Sequence, residues 1–191
     1  MPGGREIKPG VATATGAGPP GINTKHTDEK EGTMPQIKRA AAFAAVLAAL
    51  NVAHEIGDHW VQTNHQAATK GGRGEHQRAG QLACAGHVAG VTAAKAVVLA
   101  ITCKAIGLRL RPGRTAAALV LDAGTHYWAD RRWTLEALAE LLGKGAYFRL
   151  GLPREGRDDP KTLGSGRFAL DQAFHRAALW ATALIISGGA E

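Results

Sequence analysis

The chain is poor in cysteine and in aromatic residues, and it has no strand-like alternation. It contains two cysteines, Cys84 and Cys103, and no CxxC motif, so neither a zinc knuckle nor a thioredoxin-type redox site is expected. Both fall on one predicted helix, roughly 28 Å apart at about 1.5 Å per residue, which is too far for a disulfide. Aromatic residues make up only 5% of the 191 residues. With abundant alanine, these absences predict an all-α fold.

The first 35 residues lack the apolar run of a secretory signal peptide. They are rich in Gly, Pro, Thr and Lys, and such a segment buries too little apolar surface to fold. We therefore predict a disordered tail over residues 1–35 and one helical membrane domain over residues 36–191. Purine-rich ribosome-binding codons would encode residues 29–33, so Met34 is a candidate translation start. Any peptide from residues 1–33 of the native protein would contradict that hypothesis.

Four Ala-rich apolar segments follow, at residues 40–61, 82–107, 115–129 and 168–187. Each has roughly 15–26 residues, close to the ~20 that cross a bilayer. The last segment and much of the second are apolar on nearly all faces, which is typical of buried or lipid-facing helices. We predict a bundle of about four transmembrane helices, with a short amphipathic helix at residues 135–142. A soluble bundle is the alternative, and Lys95 is the main objection to the membrane, since it would have to snorkel or pair with an interior aspartate.

The distribution of charge distinguishes between a lipid bilayer and nucleic acid as the partner. The formal net charge is +7, and the basic residues lie mostly between the apolar segments, as in membrane proteins. No helix-turn-helix spacing or basic–aromatic stripe supports nucleic-acid binding, so the lipid bilayer is the expected partner. Positive charge lies at both ends of the segments, which leaves the topology open. The sequence also leaves open whether the chain forms a homo-oligomer.

The most informative pattern is a histidine and an aspartate four residues apart, repeated in three apolar segments. Residues at this spacing share one helix face, so each pair points its imidazole and carboxylate the same way. Such groups are costly in an apolar setting without partners, which predicts one convergent interior site. The pairs are His54 with Asp58, His126 with Asp130, and Asp171 with His175.

Imidazole and carboxylate together are a competent ligand set for a divalent metal such as zinc, manganese or iron. The expected ligands are His54, Asp58, His126, Asp130 and His175. Further or second-layer ligands are His87, Asp122, Asp171, Gln62 and Gln172. Four glycines would let the helices approach closely there: Gly57, Gly86, Gly90 and Gly124. A structural His–Asp network and a proton or ion path remain open as alternatives.

Other polar residues near these pairs are weaker candidates for the site. His54, Glu55 and Asp58 read as HExxD, close to the HExxH of zinc proteases, with Glu55 as general base. The aspartate and the missing third ligand make that match poor. We expect solvated side chains at His59, His65 and His76, and a lipid-headgroup contact at Lys70.

The order of these motifs resembles a family of small bacterial membrane proteins catalogued as domain of unknown function 3307. The resemblance covers residues 40–187 and departs from the family at His59 and Trp60, where apolar residues are expected. It implies a multi-pass inner-membrane protein and no established activity. The matching positions are His54, Asp58, Gln62, Thr63, Lys70, His87, Thr125, His126, Asp130, Asp171, Gln172 and His175.

Three functional hypotheses follow from these patterns. The leading one is a metal-dependent hydrolase acting on a membrane-embedded or amphiphilic substrate, with catalytic residues unassigned. The second is a non-enzymatic membrane scaffold whose His–Asp network fixes helix packing. The third is a soluble basic regulator that binds nucleic acid.

Overall fold

A computed structural model of the protein describes residues 25–160, 162 and 164–188, and over these residues it is helical without any β-strand. The predicted all-α fold is therefore confirmed. A π-helical turn, Gly57–Val61, follows the first helix, and a 3-10 turn, Gly74–His76, precedes the third. In chain order, the α-helices of the described part are α1 (Lys25–Ile56), α2 (Asn64–Thr69), α3 (Gln77–Ile106), α4 (Pro112–Asp130), α5 (Trp133–Leu141), α6 (Gly145–Phe148) and α7 (Ser165–Ser187).

The four long helices, α1, α3, α4 and α7, lie over the four predicted apolar segments. The predicted count of about four holds only for these, because three short helices occupy the connections. One of the short helices, α5, covers the predicted amphipathic stretch. α1 begins at Lys25, ten residues before the predicted end of the tail, and has Pro35 in its interior. The rest of that predicted tail, residues 1–24, lies outside the described residues.

The long helices pack as a ring in which α1 contacts α3 and α7, and α4 contacts the same two helices. One half of the interior is apolar: Val46 and Leu50 of α1 meet Leu99 of α3 and Leu179 of α7, each at most 3% exposed. The other half, nearer the π-helical turn, is polar. The bundle therefore separates an apolar core from a buried polar cluster along its axis.

Close backbone approach brings the π-helical turn after α1 against α3 beside that cluster. A Cβ atom at Gly57 would lie 3.0 Å from Cα of Val91, tighter than nearly all real contacts. Added Cβ atoms at Gly86 and Gly90 would each meet a side chain at 3.2 Å. The predicted close approach of backbones is therefore confirmed at Gly57, is not seen at Gly86 and Gly90, and is wrong at Gly124, where nothing lies within 4 Å.

The outer surface of the bundle is strongly apolar. The stretches Pro35–Val61 and Gly74–Ile106 are long and apolar enough to cross a bilayer by length and composition. At most 39% of either apolar window is buried inside the protein, so much of its apolar surface faces outward. Large apolar side chains are also exposed on α4 and α7, for example Val120 at 72% and Trp180 at 53%. Both cysteines are free, as predicted.

Candidate metal centre

Each long helix contributes one buried histidine to a single cluster. His54 comes from α1, His87 from α3, His126 from α4 and His175 from α7, and none is more than 2% exposed. Their rings are neighbours: the centroids of His126 and His175 are 4.2 Å apart, and those of His54 and His175 are 4.9 Å apart. The structure thus brings together the histidines of four segments that are far apart in sequence.

Helix geometry places a carboxylate beside three of these rings. In α4, His126 Nε2 lies 3.2 Å from Asp130 Oδ2, and in α7, His175 Nε2 lies 3.6 Å from Asp171 Oδ1. Asp58 belongs to the π-helical turn after α1, and its Oδ2 is 3.5 Å from His54 Nε2. Single π-helical turns are frequent at functional sites, because the extra residue re-aims the side chains that follow.

Two carboxylate oxygens lie close to a pair of imidazole nitrogens, and we call these four atoms the four-atom set. They are His87 Nε2, His126 Nε2, Asp58 Oδ1 and Asp130 Oδ2. The two nitrogens are 3.1 Å apart. They lie 3.3 and 3.4 Å from Asp58 Oδ1, and 2.9 and 3.2 Å from Asp130 Oδ2. Ligand atoms about 2.1 Å from a metal are about 3.4 Å apart in a tetrahedron and about 3.0 Å apart in an octahedron. The five distances are close to these values, and His87, His126 and Asp130 together could hold a metal ion.

Hydrogen bonding accounts for only part of this convergence, namely the contact between the two imidazole nitrogens. Asp58 Oδ1 and Asp130 Oδ2 are buried and make no hydrogen bond, although imidazole nitrogens lie within 3.4 Å of both. His175 Nε2 and both ring nitrogens of His54 are likewise buried and make no hydrogen bond. A buried polar group without a partner costs about 1–3 kcal/mol, so a purely structural network would be expected to pair these atoms. A cation would satisfy lone pairs that point to a common centre.

Lys70 was missed as a site residue, and its predicted contact with lipid headgroups is wrong. It is buried, and its Nζ lies 2.8 Å from Asp130 Oδ1. The connection folds back over the cluster because Arg131 donates to the carbonyl of Lys70 at 2.9 Å. A capping box, in which Thr63 and Gln66 bond reciprocally, starts α2 in that connection. The TxxQ pattern was the available sequence signal for this short helix.

The remaining predicted site residues fall into two groups. Gln62, Asp171 and Gln172 lie at the cluster, and Gln62 Nε2 is 3.1 Å from His87 Nδ1. Asp122 is engaged elsewhere, since its Oδ2 lies 2.5 Å from Lys95 Nζ and both residues are buried. Lys95 therefore pairs with an interior aspartate, which is one of the two outcomes expected for it.

The HExxD reading gains no support from the position of Glu55. Its side chain is 49% exposed and lies 3.4 Å from His59 and 3.8 Å from Arg176, on the outside of the bundle. His59, His65 and His76 are exposed, as expected.

A cleft of about 200 Å³ opens onto the cluster. Asp58, Asp130 and Lys70 line its inner part, and Arg132 and Arg167 add two positive charges. Among the described residues other than glycine, only Arg132 has a positive φ, at 63°. Its guanidinium group donates to the carbonyl of Ala67 at 2.5 Å. Backbone strain of this kind persists where surrounding contacts enforce it, and such positions cluster at functional sites.

A helical bundle with an interior His/Asp cluster that could hold a metal ion is the class that this fold and site define. No family model matches the chain, and no curated protein or solved structure matches it. The resemblance to the membrane-protein family therefore stays a prediction.

Proposed function

We propose that the protein is a multi-pass membrane protein of the bacterial inner membrane that binds a divalent metal and hydrolyses an amphiphilic substrate at the membrane surface. The four-atom set carries this proposal, because its atoms come from three elements and its two buried carboxylate oxygens, Asp58 Oδ1 and Asp130 Oδ2, make no hydrogen bond although imidazole nitrogens lie close to both. Zinc, manganese and iron are the ions that suit such a mixed nitrogen and oxygen set.

The distribution of charge on the outer surface supports the membrane location. On α1, no exposed charged side chain lies between Arg39 and Glu55. On α3 the same holds between Arg78 and Lys104, where the one charged residue, Lys95, is buried. Exposed apolar residues occupy this surface instead, among them Val97 and Ile101 at 57% and 63%. Contiguous apolar surface of this kind is rare on soluble monomers and is typical of a lipid-facing belt.

We expect the protein to be recovered entirely in the membrane fraction of expressing cells. A wash with about 1 M salt, which screens surface charge beyond about 3 Å, should not release it, whereas a mild detergent should. The wash separates burial in lipid from attraction of a basic protein to an anionic surface. Recovery in the high-speed supernatant without detergent would contradict the membrane location and favour the soluble regulator.

The cleft indicates how hydrolysis would be divided among the residues. Asp58, Asp130, His87 and His126 would hold the ion, which supplies a Lewis acid and lowers the pKa of water. In hydrolysis the water oxygen bonds to the acyl or phosphoryl centre, the bond to the leaving oxygen breaks, and that oxygen gains the proton. Arg132 and Arg167 favour a substrate with an anionic group beside the bond that breaks, because guanidinium groups bind carboxylate and phosphate strongly.

Hydrolysis of anionic esters in mixed micelles tests the proposed activity. Turnover by the purified protein should disappear on chelation and return with zinc, manganese or iron. Arg167→Gln should raise KM for an anionic substrate by roughly 10-fold or more, since an interaction with a charged group contributes about 1.5–3 kcal/mol. The KM for a neutral substrate should not change in Arg167→Gln. Arg176→Gln, the matched change outside the cleft on the same helix, should leave the KM for both substrates unchanged. Absence of turnover with every ion, in protein that has bound metal, would contradict the hydrolase.

A further inference from the structure

Both central aspartates turn one oxygen to the four-atom set and the other oxygen to a further histidine. Asp58 Oδ1 belongs to the set, while its Oδ2 lies 3.5 Å from His54 Nε2. Asp130 Oδ2 belongs to the set, while its Oδ1 lies 4.0 Å from His175 Nε2. The two carboxylates thus face His87 and His126 through one oxygen each and His54 or His175 through the other, although the rings of His126 and His175 also lie 4.2 Å apart.

His54 and His175 lack hydrogen bonds in the same way as the two aspartate oxygens of the four-atom set. His54 and His175 are at most 2% exposed, and Nε2 of each has no hydrogen-bond partner. Asp171 Oδ1 lies 3.6 Å from His175 Nε2 and supplies a third carboxylate on this side. Burying imidazole nitrogens without partners is costly, and a ligand shared by the two rings would remove that cost.

We propose that the centre binds two divalent ions, the second held by His54 and His175 with the carboxylates of Asp58 and Asp130 bridging the pair. This inference rests on the proposed metal-binding function and adds a second ion to it. Two atoms bound to one ion at about 2.1 Å lie at most about 4.2 Å apart, and the distances of 3.5 and 4.0 Å satisfy that limit. Two-metal hydrolytic centres hold their ions about 3.5–4 Å apart, which is the span of a bridging carboxylate.

Lys70 makes the two positions unequal. Its ammonium group is 2.8 Å from Asp130 Oδ1, the oxygen that faces the second position. An ionised carboxylate oxygen has a further lone pair, so the contact does not block a metal ligand there. The like charge nevertheless weakens binding, and we expect the second ion to bind more weakly than the first.

Manganese titration of the purified full chain, followed by electron paramagnetic resonance, tests the second position. The wild type should bind two Mn²⁺ ions per chain in two steps, and its spectrum at saturation should show exchange coupling between them. His175→Gln should bind one Mn²⁺ ion per chain and show no exchange coupling. The affinity for the second ion should fall by about 100-fold or more, since changing a residue that only supports a metal ligand already lowers metal affinity by about 10–100-fold. His65→Gln, at an exposed position, is the control and should match the wild type.

The possible results separate this inference from the proposed function. One uncoupled ion per chain in the wild type, unchanged by His175→Gln, would overturn the second position and leave the one-ion centre standing. No bound ion in folded wild type would overturn both. The coupled spectrum of the wild type needs no variant, so the inference stays testable if His175→Gln fails to fold.

Discussion

Replacing Asp130 with asparagine is expected to remove bound metal and, with it, hydrolysis. Asp130 is 2% exposed, and its Oδ2 touches both His87 and His126 in the four-atom set. Asparagine keeps the size of the side chain but has no charge and offers one acceptor oxygen instead of two. We expect the affinity for the first ion to fall by more than about 100-fold, beyond the effect of changing an outer-layer partner. Elemental analysis of the detergent-purified variant measures this loss.

Asp159→Asn is the matched control for that change. Asp159 lies in the connection before α7, where Arg154 donates to it at 2.8 and 2.9 Å and holds the pKa of its carboxyl below the ordinary value. The pair is solvated, so the control variant should keep both metal and activity. Circular dichroism of both variants separates loss of the ion from loss of the fold. Stoichiometric metal in folded Asp130→Asn would contradict the assignment of this carboxylate to the centre.

The helical spacing of the His/Asp pairs is what made the site predictable. Residues four apart on a helix must share a face, so the pairs at His126 with Asp130 and at Asp171 with His175 needed only the helix to form. The apolar setting then required these faces to point inward together. For this reason the sequence predicted the cluster itself, although binding of a metal remains a proposal.

The central place of His87 was not predictable in the same way. It has no carboxylate four residues away, so the sequence ranked it among the further ligands. In the structure its Nε2 lies within 3.3 Å of three other atoms of the four-atom set. That position follows from how α3 packs against α1 and α4, which no local spacing encodes. Lys70 was missed for the same reason, because a connection that folds back over a bundle leaves only a short capping signal.

The boundaries between elements were the other weak point. α2 and α6 have six and four residues, too few for helical periodicity to be read from the sequence. α1 extends to Lys25 through Gly32 and Pro35, although both residues disfavour a helix interior, so neither propensity nor the loss of hydrophobicity marked the end of the helix. Hydrophobic pattern predicted where the bundle lies and left its connections undetermined.

Breaking the buried ion pair of Lys95 and Asp122 is expected to destabilise the protein more than any other single substitution that we propose. The two groups are 2.5 Å apart, and each is at most 2% exposed. Asp122→Asn would leave the ammonium group of Lys95 buried without a counter-charge, and we expect the free energy of unfolding to fall by about 3–5 kcal/mol. Denaturant unfolding in mixed micelles measures the change. Asp159→Asn, on the solvated pair, should produce no measurable shift.

The double variant Lys95→Met with Asp122→Val decides what the pair is for. Replacing both charges by apolar groups removes the desolvation cost together with the attraction, so stability should return to within about 1 kcal/mol of the wild type or exceed it. The double variant should bind metal as the wild type does, because Asp122 is engaged by Lys95 and lies outside the four-atom set. A double variant that is stable but has lost its metal would place Lys95 and Asp122 in the functional centre. A double variant as unstable as Asp122→Asn would instead show that the loss comes from something other than the unpaired ammonium group.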